Sequence, residues 1–282
     1  MSLRHSILVG LILSSGVALA QDRPPETVAI QTRDGTLHAH LWRPAGDGPF
    51  PAILINHGSG RTREELQRLG PYEQQSETLG PVFARHGYIC LFLFRRGVGP
   101  STDQGENAID ILTRTFAERG DTGRNATQLQ LLENRELDDA TAALAFLRKV
   151  PGVDAGKIAL VGHSFGGSLT LLLAEREPAL RSLVVFSAAG YSWDRSPGLR
   201  ARLLAALGHI QAPVFFIHAA NDYSLHPGQA MDQRLAQLGK PHRLKIYPPI
   251  GSTPEDGHAF PLIGVKIWEP DVFEFLDSSM RK

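Results

Sequence analysis

A chain of 282 residues is long enough to bury one sizeable core. With 42% apolar and 21% charged residues, it is neither disordered nor collagen-like nor a coiled coil. Lys plus Arg and Asp plus Glu both count 29, which argues against a dedicated nucleic-acid binder, and the single cysteine, Cys90, excludes an intramolecular disulfide or a cysteine-cluster metal site.

Met1 to Ala20 begins with Arg4 and His5, continues with the apolar run Ile7–Leu13 and ends in Ala18-Leu19-Ala20. A short positive start, an apolar stretch too short to span a bilayer and a small-x-small ending form a secretory signal, cut before Gln21. An uncleaved anchor is the alternative. No other stretch could span a membrane, so residues 21–282 are expected to be a periplasmic domain with no stable membrane insertion after cleavage.

From there short apolar runs alternate with helical patterns, the mark of a largely parallel sheet covered by helices. Thr27–Thr32 and Leu37–Arg43 flank an Asp34-Gly35 turn and form an opening hairpin. Ala52–Asn56 is a buried strand, Ser76–His86 a helix, and Tyr88–Phe94 a strand in which Cys90 is a packing residue. Leu129–Val150 reads as one long helix, with Leu137, Ala140, Leu144 and Leu147 on one face. Strand Ile158–Val161 runs into helix Phe165–Arg176, which Pro178 stops. Strands Leu183–Ser187 and Val214–His218, helix Pro227–Leu238, strand Arg243–Tyr247 and a last helix within Pro261–Met280 complete one doubly wound α/β domain of about eight strands.

Two connections stand out. Residues 97–128 are far too many for a strand-to-helix link, and they include a small helix around Ala108–Glu118. Loops at the carboxyl edge of such a sheet line the ligand crevice, so this insertion is either a substrate-shaping flap or a surface decoration. The second, Ala188–Ala212, leaves little room for a large lid, and a fairly open site is expected.

The chemistry concentrates at Gly162-His163-Ser164-Phe165-Gly166-Gly167. A β-branched strand enters G-x-S-x-G and a helix leaves it, so the reversal forces Ser164 into a strained conformation. Its neighbours two positions away must then lack bulk. A serine hydroxyl needs a base and a group to orient that base, and in this architecture they follow in the order Ser, acid, His. Asp222 lies just past strand Val214–His218, and His258 lies in the loop after Arg243–Tyr247. Asp256 is a rival acid, but a residue at i−2 rarely reaches the far imidazole nitrogen. His218, Asp222 and His226 are spaced four apart, yet they straddle a strand end, a loop and a helix start, which is not a metal-ligand face. No cofactor is called for. Asn56-His57-Gly58-Ser59-Gly60 ends the third strand in small residues, so the backbone N–H groups of Ser59 and Phe165 are the candidate oxyanion donors.

These residues resemble the α/β-hydrolase superfamily across nearly all of residues 21–282. Asn56–Gly60, Phe94-Arg95-Arg96-Gly97-Val98-Gly99-Pro100-Ser101, the elbow and Asp256-Gly257-His258 resemble its dienelactone hydrolase-like and prolyl oligopeptidase-like branch. The resemblance implies an α/β-hydrolase fold, a Ser164–Asp222–His258 triad and structural roles for Arg95 and Arg96. Dienelactone hydrolases carry a cysteine where Ser164 stands, and prolyl oligopeptidases carry a propeller for which this chain has no repeats. The function expected is an exported serine hydrolase acting on a small carboxylic ester. A peptidase or amidase with the same triad, and an inactive binding protein of the same fold, are the alternatives. Oligomeric state is not legible.

Overall fold

The computed structural model describes residues 24–62, 65 and 70–280; the expected signal segment lies outside them. Eight strands form one sheet: β1 Glu26–Thr32, β2 Gly35–Trp42, β3 Phe50–Asn56, β4 Ile89–Phe94, β5 Val153–His163, β6 Ser182–Phe186, β7 Val214–Ala219 and β8 His242–Tyr247. Their spatial order is β1-β2-β4-β3-β5-β6-β7-β8. The opening hairpin closes at Thr32 opposite Gly35, β2 pairs antiparallel with β4, and every later pairing is parallel. The order reverses at β3, so the carboxyl ends of β3 and β5 flank the crevice where ligands of such sheets bind.

The period-two alternation of the strands builds two cores. Leu54, Leu91, Leu160, Val185 and Phe216 face one side, and Ile55, Phe92, Val161, Val184 and Phe215 face the other. Helices α1 (Tyr72–Arg85) and α9 (Val265–Met280) cover the second side with Leu79, Phe83, Trp268 and Leu276. The first side is covered by α2 (Ala108–Glu133), α3 (Arg135–Leu147), α4 (Phe165–Arg176), α5 (Pro197–Ala206) and α6 (His226–Gln237). Leu137, Ala140, Leu144 and Leu147 are fully buried, as their spacing requires. Truncating one of these leucines to alanine should cost about 2–5 kcal/mol.

The long helix expected over residues 129–150 is two helices. Asn134 leaves helical space (φ −120°, ψ −98°) and donates its side-chain amide to the Gln130 carbonyl at 2.8 Å, so α2 ends before it and α3 starts after it. The small helix expected around Ala108–Glu118 is instead the start of α2, which runs to Glu133 through a break at Gly120 (φ +60°). A 3₁₀ turn at Gly99–Gln104 precedes it. The expected last helix divides at Gly264 into α8 (Phe260–Ile263) and α9, and a short α7 (Pro254–His258) comes first. Among the described residues no helix is long and apolar enough to cross a membrane.

Candidate active site

Ser164 joins β5 to α4 with φ +54° and ψ −116°, a conformation that costs a non-glycine residue about 1–3 kcal/mol. The flanking glycines make it possible. A Cβ on Gly162 would collide with Thr170 and the Gly166 carbonyl, and one on Gly166 would collide with the carbonyls of Asn56 and His57. The elbow is thus pressed against the loop after β3, and the Ser164 side chain stands half-exposed at the carboxyl edge of the sheet.

The structure brings the three residues expected from chain order together. Ser164 Oγ lies 2.8 Å from His258 Nε2, and His258 Nδ1 lies 2.7 Å from Asp222 Oδ1. With the carboxylate accepting at Nδ1–H, the His258 Nε2 lone pair faces the hydroxyl and can take its proton. Asp222 also accepts from the Tyr223 backbone N–H at 2.7 Å and, through Oδ2, from His218 Nδ1 at 2.8 Å. Burial pushes this carboxyl up, but the two imidazoles outweigh it and hold it well below the usual carboxylate range.

The acid and base loops are locked to each other. The Asn221 side chain donates to the carbonyls of Ile250 and Thr253 and accepts from the Ile250 N–H. Gly257 packs on the Asn221–Asp222 backbone so closely that a Cβ could not fit. From the elbow, His163 Nε2 donates to the His258 carbonyl at 2.8 Å, and burial is the main cause that lowers its pKa to about 3. The rival acid, Asp256, is engaged elsewhere: it forms the capping box of α7 with Thr253 and accepts from the N–H groups of Ser252 and Thr253. His226, last of the three residues spaced by four, lies on the surface against Asp194.

Ser59 and Phe165 border the same cleft as Ser164 and His258. Leu112, Arg124 and Gln128 of α2 form one wall, so the insertion shapes the site rather than decorating a distant surface. The start of the 188–212 connection supplies Tyr191 to another wall, beneath the guanidinium groups of Arg61, Arg124 and Arg195 at 5.0, 5.7 and 4.2 Å. Arg61 is paired with Glu65 and Glu255. Arg124 has no ion pair among the described residues, and burial lowers its pKa. Glu65 accepts from Tyr223 Oη at 2.6 Å, and the Tyr223 ring lies 4.6 Å from that of His258.

The sequence matches the dienelactone hydrolase family over residues 68–262, a span that contains Ser164, Asp222 and His258. The chain belongs to the dienelactone hydrolase family. This family member is 26% identical over 160 residues to the quorum-quenching protein AidA of Acinetobacter baumannii, covering 57% of this chain and 42% of that protein. It is 30% identical over 138 residues to esterase EstD of Thermotoga maritima, covering 48% of this chain and 26% of that protein. It therefore spans less than half the length of either relative. The acylaminoacyl peptidase of Pyrococcus horikoshii superposes with a TM-score of 0.64 at 17% identity, covering 95% of this chain and 44% of that one. That likeness concerns the α/β-hydrolase fold alone.

His218 reads from the sequence as a strand residue, yet its ring holds the second oxygen of Asp222. Its place four residues before Asp222 is the available signal, which by spacing alone suggests only a metal pair. Glu65, Arg124 and Tyr191 carry no local signal, because three separate segments of the chain bring them to the cleft.

Proposed function

We propose that this chain is an exported serine hydrolase that cleaves carboxylic esters through an acyl-enzyme. The continuous hydrogen-bonded line from Ser164 Oγ through His258 to Asp222 carries the reading. Ser164 Oγ attacks the ester carbonyl as His258 Nε2 takes its proton. The tetrahedral oxyanion meets the N–H groups of Ser59 and Phe165, each worth about 2.7–4 kcal/mol in the transition state. Collapse breaks the bond to the alcohol, which leaves with the proton from His258. Water, activated by the same imidazole, attacks the acyl-Ser164 ester, and the acid product departs. Asp222 stabilises the imidazolium in both halves.

The cleft favours an ester over a peptide with a free amine. Its one acidic wall residue among those described, Glu65, already takes Arg61 and Tyr223, so no carboxylate is left for an ammonium group. Arg124 makes no ion pair among the described residues, which suits an ester that carries an acid group of its own. Export is supported by the apolar run Ile7–Leu13 and by Ala18-Leu19-Ala20 ahead of Gln21.

The test is a panel of p-nitrophenyl esters and aminoacyl anilides with the purified protein, alongside a fluorophosphonate probe. Ester turnover and a single label at Ser164 are expected. Ser164→Ala should abolish both at unchanged melting temperature. Faster anilide than ester cleavage would transfer the chain to the amidase reading, and no label would sink both.

A further inference from the structure

One peptide of the loop after β3 is gripped from behind. The Gly58 carbonyl accepts from Arg95 Nη2 at 3.1 Å and from His57 Nδ1 at 2.6 Å. Arg95 Nη1 also donates to the carbonyl of His57. His57 Nε2 accepts from the Arg95 backbone N–H at 3.4 Å, so the imidazole proton belongs on Nδ1, where it faces Gly58. Burial first, and then the neighbouring Arg95 charge, hold His57 well below the usual histidine range, and it stays neutral. Arg95 is itself anchored: its Nε lies 3.2 Å from Glu136 Oε2 of α3, with both side chains almost fully buried (3% and 1% exposed). Its guanidinium lies 4.9 Å over the ring of Phe165, the residue that supplies the other candidate donor.

A trans peptide points its carbonyl and its N–H in opposite directions. Two donors draw the Gly58 oxygen into the protein, so the Ser59 N–H turns the other way, to the cleft that Ser59 shares with Ser164 and Phe165. That N–H makes no backbone hydrogen bond among the described residues. The loop approaches the elbow so closely that a Cβ on Gly58 would press against His163 and Ser164, which demands glycine there. Glycine also leaves the Gly58–Ser59 peptide free to rotate. Rotated, it would set a carbonyl oxygen where the oxyanion develops, turning a stabilising donor into a repulsive acceptor.

We propose that Arg95 and His57 are positioning residues that hold the Gly58–Ser59 peptide with its N–H toward the oxyanion, with Glu136 of α3 holding Arg95 in turn. The proposal rests on the reading of Ser164 as the nucleophile of an ester hydrolase.

The variants are Arg95→Lys, His57→Phe, which keeps a ring between Tyr72 and Phe92, and the charge-balanced pair Arg95→Met with Glu136→Gln. Losing one oxyanion donor lowers kcat by about 10²–10³-fold, so folded variants should fall toward that range. KM for a neutral p-nitrophenyl ester should stay within about three-fold. Inhibition by an alkyl boronic acid, which forms a tetrahedral adduct on serine, should weaken in step with kcat. The pH dependence of kcat should keep its midpoint, because Ser164, His258 and Asp222 are untouched. A merely structural role would instead disturb KM or move the midpoint. A folded variant that keeps kcat within about five-fold of wild type overturns the proposal. So does a crystal structure of the wild-type boronate adduct in which no boronate oxygen lies about 2.7–3.1 Å from Ser59 N, a test that needs no variant to fold. A wild-type protein that neither turns over esters nor reacts with the fluorophosphonate refutes the underlying reading instead.

Discussion

Replacing Asp222 by asparagine gives a loss that can be worked out from its three donors. Oδ1 accepts from His258 Nδ1 and the Tyr223 N–H, both at 2.7 Å, and Oδ2 accepts from His218 Nδ1 at 2.8 Å. An amide offers one oxygen and one NH₂. With the NH₂ at the Oδ1 position it would oppose two donors; at the Oδ2 position it opposes only His218, whose ring can move its proton to the other nitrogen. The amide should therefore keep its oxygen toward His258, and the Nδ1–H tautomer should survive. What disappears is the negative charge behind the imidazolium. A hydrogen bond to a charged partner is worth about 1.5–3 kcal/mol, or roughly 10–10²-fold in kcat. A triad whose amide forces the wrong tautomer loses about 10⁴-fold. Steady-state ester hydrolysis by Asp222→Asn and Asp256→Asn, side by side with thermal melts, decides the matter. Asp256→Asn should hold kcat near wild type and melt close to it, because the amide oxygen can still accept from the N–H groups of Ser252 and Thr253 in the capping box. A 10⁴-fold loss in Asp222→Asn would refute the tautomer argument, and a crippled Asp256→Asn would move the acid to the histidine loop.

The pKa of His163, lowered from 6.5 to about 3, makes its contribution to stability complete above about 6.5 and lost as pH falls toward 3, since only the unfolded chain takes up that proton across the window. Thermal melts over a pH series should therefore decline less steeply for His163→Asn than for wild type, by roughly 1.4 kcal/mol per pH unit, and equal slopes would count against a buried neutral imidazole. Arg124→Met should raise KM about ten-fold for a p-nitrophenyl ester bearing a free carboxylate and leave a neutral ester unaffected; an equal change for both would remove the anion from the reading. Expressed with its natural amino terminus in a bacterial host, the protein should be recovered from the periplasm with Gln21 first, and an intact Met1 on membrane-bound protein would favour an anchor.

What was legible in the sequence follows the reach of each signal. The eight strands, the elbow and the chain order of Ser164, Asp222 and His258 are local features: β-branched runs, G-x-S-x-G, and polar residues in the segments that follow strands. The match at Phe165–Arg176 reflects a helix bounded by Ser164 on one side and Pro178 two residues past the other end. The break at Asn134 was hidden because the apolar spacing carries on across it, and only the backbone angles reveal that the first helix belongs to the insertion. His218 was hidden for the opposite reason. A histidine inside a buried strand reads as packing until the loop after it curls back and sets Asp222 against its ring.

The placement of these groups separates chemistry from selection. Ser164, Asp222, His258 and the Gly58–Ser59 loop all follow parallel strands, β5, β7, β8 and β3, on the carboxyl side of the sheet, and backbone-directed bonds from Asn221, His163 and Arg95 hold them. These bonds leave little freedom to a side chain that must stay within a hydrogen bond of its partner. Two walls of the cleft come instead from α2 and from the segment around Tyr191, which share no strand with the Ser164–His258–Asp222 line. A substitution on the cleft face of α2 can therefore change which ester fits without touching the proton path. One at Asn221 or Arg95 reaches every substrate alike, because it acts on geometry that all of them use.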